Sequence, residues 1–159
     1  MGAQTNILVK DDAATPKEWT LVPISDTPFP TWRGNDAGIP LEGQPRLSMS
    51  AEKLKTGDYK ITAKVEVPVM EQLGTAGAST GYVAPAEVAY VQTVIITMFA
   101  SRRSTIADRA NALKMAVGVV QGASATTATG VLANTAAGGA FAASVLPAPL
   151  LFTGVVVPN

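Results

Sequence analysis

The 159-residue chain contains neither histidine nor cysteine, so the side chains that most often ligate zinc or assist nucleophiles are missing together. Hydroxyls, lysines and arginines remain, and their clearest arrangement lies between Arg46 and Pro68, RLSMSAEKLKTGDYKITAKVEVP. Read in steps of two, Arg46, Ser48, Ser50 and Glu52 fall on one side, and Leu47, Met49 and Ala51 on the other. After the polar break Lys53–Asp58 the pattern resumes: Lys60, Thr62, Lys64 and Glu66 alternate with Tyr59, Ile61, Ala63, Val65 and Val67. Successive strand side chains point to opposite faces, so this stretch predicts two half-buried antiparallel strands joined at Thr56-Gly57-Asp58. One face belongs to a core. The other carries short hydroxyls, which can bond base edges and 2′-OH groups, and lysines, which can screen phosphates. The plainer alternative is that it is only the wet side of a half-exposed sheet.

Composition narrows the field. Twelve basic and twelve acidic side chains cancel, so no global basic field draws in nucleic acid and any polyanion site must come from local placement. No pair of carboxylates sits in an evident apolar pocket motif, and the glycine-rich stretch Leu73–Gly81 lacks the Lys-Ser/Thr of a phosphate loop. Neither an enzyme, nor a cofactor, nor a metal site is expected. Met1–Asn6 is polar and Ile7–Val9 too short for a leader's apolar core, so no leader is expected. No residue after Lys114 carries a charge. Pro147, Pro149 and Gly154 interrupt the apolar Ala140–Pro158, which argues against a membrane-spanning helix. Such a tail is expected to be buried, either on its own core or between subunits.

The surrounding elements follow from pattern. Asn6–Lys10 and Glu18–Ile24 predict two strands joined as a hairpin through the turn formers Asp11–Pro16. Ser25–Pro45 is rich in proline and glycine, with room for one short strand around Phe29–Arg33. Val69–Val88 predicts a long connection, and Ala89–Phe99, AYVQTVIITMF, a strand. That last strand lacks clean alternation, which predicts cover on both faces or a bulge. From Ser101 to Gly122 the period becomes helical, with Ile106, Leu113 and Val117 as core or dimer contacts. Thr105 and Asp108 fit a capping box, with Ser101 or Ser104 as alternative caps, and Arg102 and Arg103 a solvated pair. Val131–Asn134 suggests a short second helix. The fold class is α+β: an N-terminal hairpin, an antiparallel sheet of about five strands, then C-terminal helices.

This order, with four particular stretches, resembles the coat protein of the single-stranded RNA bacteriophages, the levivirus type. The stretches are Asn6–Ile24, Arg46–Glu52, the T-x-K-V-E-V-P strand Thr62–Pro68, and Tyr90-Val91-Gln92 leading to Phe99-Ala100 and a helix. The resemblance implies a domain over residues 1–137 and leaves 138–159 as an extension of unknown role. It also implies a homodimer with one continuous sheet and interlocked helices, assembled in the bacterial cytoplasm into an icosahedral virion shell around single-stranded genomic RNA. A maturation protein of the same virion would be a further partner, and no membrane is involved. Ser48, Ser50, Thr62 and Lys64 match the family's RNA-contacting positions. Tyr90 and Gln92 match its Tyr-x-Asn pair, with Gln replacing Asn. Arg46 and Lys60 join them by parity on the same face. The alternative reading is a non-viral pilus or surface-layer subunit that uses the apolar tail for contacts between copies.

Overall fold

The strands form in the predicted order, with one more than expected. The structure, a computed structural model, describes residues 4–71, 87–120 and 147–157, apart from the side chain of Val119. Its strands are β1 (Ile7–Lys10), β2 (Glu18–Ser25), β3 (Thr31–Gly34), β4 (Arg46–Lys53), β5 (Tyr59–Met70) and β6 (Val88–Ala100). They lie in sequence order in one antiparallel sheet, with β1 and β6 at its edges. The expected sheet of about five strands has six, and β3 is the short strand for which Phe29–Arg33 left room. The glycine-rich Leu73–Gly81 and the expected helix Val131–Asn134 lie outside the described residues.

The chain divides into two compact units, through both of which β4, β5 and β6 run. The hairpin unit comprises Asn6–Ser48 and Lys64–Ile95. Its first turn is organised by Asp11, whose carboxylate accepts the Lys17 N–H at 2.8 Å and the Trp19 indole N–H at 3.3 Å. The Lys17 ammonium lies 4.2 Å from the centre of the Trp19 ring and is paired with Asp36. Leu21, Trp32 and Leu47 are buried. Buried Gln44 ties the loop before β4 together. Its amide donates to the carbonyls of Asp36 (2.5 Å) and Ile39 (2.9 Å), while its side-chain oxygen accepts the Asp36 N–H at 3.1 Å. Three bonds on one buried amide leave little of its polar capacity unsatisfied, which is what makes its burial tolerable.

The helical unit comprises Met1–Thr5, Met49–Ala63 and Ile96–Asn159. Its hairpin turns at Gly57, where φ is +89°, a left-handed conformation that glycine adopts without a Cβ penalty. The turn is fixed to the next one by the Arg102 N–H, which donates to the Asp58 carboxylate at 3.1 Å. Helix α1 (Ile106–Val120) starts on the expected capping box. The Thr105 N–H and hydroxyl both donate to Asp108, at 2.9 and 2.8 Å, and the Asp108 N–H donates back to the Thr105 hydroxyl. The turn preceding α1 exposes Arg102 and Arg103. Ile106 is not a core residue of the single chain: it stands in the first turn of α1 and is exposed. Leu113 and Val117 are half-buried.

The tail departs most from expectation. Pro147–Gly154 form a second helix, α2, of eight residues, far too short to span a membrane, which was the only helix its prolines had spoken against. Both lie in the first helical turn, where N–H groups have no intrahelical acceptor, so nothing is lost there. Helix α2 packs on α1, and Leu151, Phe152 and Thr153 are buried within the chain itself. Arg109 reaches from α1 to donate through Nε to the Thr153 carbonyl at 2.6 Å and through Nη1 to the Ser104 carbonyl at 2.7 Å. A guanidinium at a helix C-terminus satisfies a carbonyl that the helix cannot and complements its dipole.

Two predictions follow from this packing and its charges. Leu151→Ala should lower unfolding stability by about 2–5 kcal/mol, because the residue is fully buried. An unchanged urea midpoint would show that α2 is not docked. Local hydrogen bonds hold three carboxyls below their ordinary range: Asp11 chiefly by the Lys17 backbone N–H, Asp36 by the Lys17 side chain, and Asp108 by the Thr105 backbone N–H. A carboxyl depressed in the folded state adds stability above its unfolded value and loses it as pH falls through the folded one. The thermal midpoint should therefore fall as acid takes pH below the ordinary value of 3.8, and Asp36→Asn or Asp108→Asn should flatten that dependence.

Candidate nucleic-acid interface

The polar face can be assembled strand by strand, each unit on its own. In the hairpin unit the anchor is the register between β3 and β4, which sets Thr31 opposite Ser48, Trp32 opposite Leu47, and Arg33 opposite Arg46. Directly opposed residues of an antiparallel pair share a face. Buried Trp32 and Leu47 therefore mark the core side, and Thr31 and Arg33 join Arg46 and Ser48 on the other. Arg46 is exposed and Ser48 half-buried. On β5, Lys64 forms an ion pair with Glu66 at 2.7 Å, two residues along and on the same side. Both partners are partly open to solvent, so the pair adds little to stability, but it tempers the charge that Lys64 presents.

In the helical unit the same side of β4 and β5 carries Ser50, Lys60 and Thr62, all half-buried. The Thr62 hydroxyl lies 3.5 Å from that of Thr97 on β6, a residue that sequence pattern did not single out. Strict alternation from Thr97 runs to Ile95, Thr93 and Val91. Tyr90 and Gln92 have the other parity, so they reach the Thr97 side only if β6 breaks its alternation between Gln92 and Thr97. Both are exposed. The signal that could have found Thr97 is its hydroxyl, hidden in an otherwise apolar run whose register sequence does not fix.

β6 is the other feature of the surface. It was expected to be covered on both faces or bulged, yet within the single chain every residue from Ala89 to Thr97 is exposed. Val94 is 57% accessible, Ile95 59% and Phe99 68%, and the strand carries no charged side chain. Among the described residues no group of three or more carboxylates gathers as a metal site, and no helix is long and apolar enough to cross a membrane.

A sequence profile of the levivirus coat protein matches residues 2–137. The chain belongs to the levivirus coat protein family. It is thus a structural protein of the phage capsid, a component of the virion, which sets aside the pilus or surface-layer alternative. The coat protein in a virus-like particle of bacteriophage EMS014 is 44% identical, with a TM-score of 0.70 and 99% of each chain covered. The bacteriophage GA capsid protein shares the fold, with a TM-score of 0.57 at 18% identity over 79% of this chain and 98% of that one. The capsid protein of Pseudomonas phage PRR1 is 33% identical over 75 residues, which span 47% of this coat protein and 56% of that one. The profile ends at residue 137, but the EMS014 likeness extends over nearly the whole chain, so the extension bearing α2 has a counterpart there.

Proposed function

We propose that this coat protein pairs with a second copy through β6, and that such pairs assemble into an icosahedral shell enclosing the phage's single-stranded RNA. The observation that carries this reading is the open edge of the sheet. A long, uncharged strand with unpaired N–H and C=O groups is a template for another strand, and soluble proteins ordinarily blunt such an edge. Joining two β6 strands satisfies the edge groups and leads to one continuous sheet. The remaining apolar surface fits the same arrangement. The hairpin unit has a groove lined by Val9, Trp19, Leu21, Leu47, Val65 and Val67, while α1 exposes Ile106, Met115 and Val120. An apolar helix face from the partner copy suits such a groove. The name of the EMS014 structure, a virus-like particle, favours self-assembly.

The RNA is proposed to lie on the polar side of each unit: Arg46, Ser48 and Lys64 in the hairpin unit, and Ser50, Lys60 and Thr62, with Thr97 beside Thr62, in the helical unit. Tyr90 and Gln92 are proposed to contribute from β6 where its alternation allows, Tyr90 by stacking on an unpaired base. With no net charge on the chain, each subunit holds RNA through few cations and many hydroxyls. Binding is then modest per subunit and strong when many subunits act together.

Expression of the full chain should yield closed particles by electron microscopy with a nucleic-acid absorbance ratio; monomers or dimers alone over a range of salt would contradict the assembly. Lys64→Ala should weaken RNA binding and reduce its salt slope by about 0.7, the value for one phosphate contact on a single strand. An unchanged slope would leave the polar face as merely solvated. A charge in the middle of the edge, Ile95→Lys, should convert the dimer to monomer in sedimentation, whereas a dimer of unaltered stability would place the contact elsewhere.

A further inference from the structure

We propose that Arg33 and Arg46 form a two-guanidinium clamp for a backbone phosphate of the RNA, a contact that rests on the RNA-binding reading above. The two residues are directly opposed on β3 and β4, on the side away from buried Trp32 and Leu47. Like charges set opposite one another destabilise a sheet, so this pairing is not explained by strand stability. The residue opposite Arg33 on its other flank is Val22 of β2, which offers no counter-charge. Among the described residues neither arginine has an ion pair. The Nε of Arg33 is buried, with no hydrogen-bond acceptor. A buried guanidinium N–H without an acceptor is costly, and its fixed fork of donors matches the oxygens of a phosphate.

One acceptor would answer both problems. A phosphate lying across the pair would accept from Arg33 and from exposed Arg46, separating the two positive charges by a negative one. Two residues along the same register, Thr31 stands opposite Ser48 and lines the approach with hydroxyls. The Thr31 hydroxyl donates to the Phe29 carbonyl at 2.9 Å, which leaves its lone pairs free to accept from a ribose 2′-OH. Lys64, by contrast, is already paired with Glu66, so the arginine pair is the less compensated positive charge of the hairpin unit's polar side. A phosphate is favoured over a base edge because nothing beside the pair supplies the mixed donors and acceptors that read a base.

The test uses full-length protein with a short fluorescent oligouridine, titrated over a range of salt, together with the thermal midpoint of each RNA-free variant. Arg33→Gln should bind roughly tenfold more weakly at low salt, and its salt slope should fall by about 0.7. Its RNA-free thermal midpoint should be unchanged or raised, because a like-charge pair and an unsatisfied N–H are both removed. Arg33→Lys keeps the charge but not the fork and should also bind more weakly than the wild type. Wild-type affinity in Arg33→Gln, with Lys64→Ala weakened, would overturn the clamp and leave the RNA reading intact. No binding by the wild-type protein would overturn the RNA reading and the clamp with it. A lowered midpoint or lost particle formation with RNA affinity unchanged would overturn the clamp in favour of a carboxylate on a neighbouring copy.

Discussion

Among the described residues β6 leaves one edge of the sheet unpaired, and that edge is the constraint on which the rest of this coat protein depends. A strand carries hydrogen-bonding groups on both flanks, and a sheet edge leaves one row open. The two edges of this sheet are treated differently. β1 is only Ile7–Lys10 and ends on a lysine, a short and partly charged edge. β6 spans Val88–Ala100 with no charge, no proline and no glycine, and exposes both of its faces. Length, flatness of pattern and lack of charge are the features that promote strand addition. In the proposed pairing a second copy offers the complementary edge by symmetry, since a twofold contact uses the same patch twice.

The same economy governs the polar side. A chain of balanced charge cannot rely on a broad field, so what matters is where individual cations lack partners. Lys17 and Lys64 are neutralised by Asp36 and Glu66. Arg109 is committed to the carbonyls of Thr153 and Ser104. Arg33 and Arg46, opposed on β3 and β4, have no ion pair among the described residues. Local structure thus separates basic residues that hold the protein together from those that the proposed RNA contact would use.

Much of this was legible in sequence because strands advertise themselves by alternation. β4 and β5 were visible in the runs from Arg46 and Tyr59, and the capping box in Thr105 and Asp108. β3 was barely visible: four residues, TWRG, are too few to show a period, and the opposition of Arg33 to Arg46 depends on a register that only pairing sets. Helix α2 was not singled out, since Pro147 and Pro149 mark a helix only when they fall in its first turn, a placement that sequence does not fix. Gln44 looked like one more loop residue, since its role lies in three bonds to backbone groups of Asp36 and Ile39 in the same loop, which only the folded loop brings to it. The mixed pattern of β6 predicts cover on both faces or a bulge, and the single chain leaves both faces exposed. Cover by a second copy, as proposed, would account for apolar residues on both faces of the strand.

Amide hydrogen exchange along β6 in the purified protein tests this account most directly. If the edge is closed by a second copy, the amides from Tyr90 to Met98 should be protected on both flanks of the strand, as slowly exchanging as those of β4. If alternate amides of β6 exchange at the rate of an open edge while β4 stays protected, the edge is unpaired and the account is wrong.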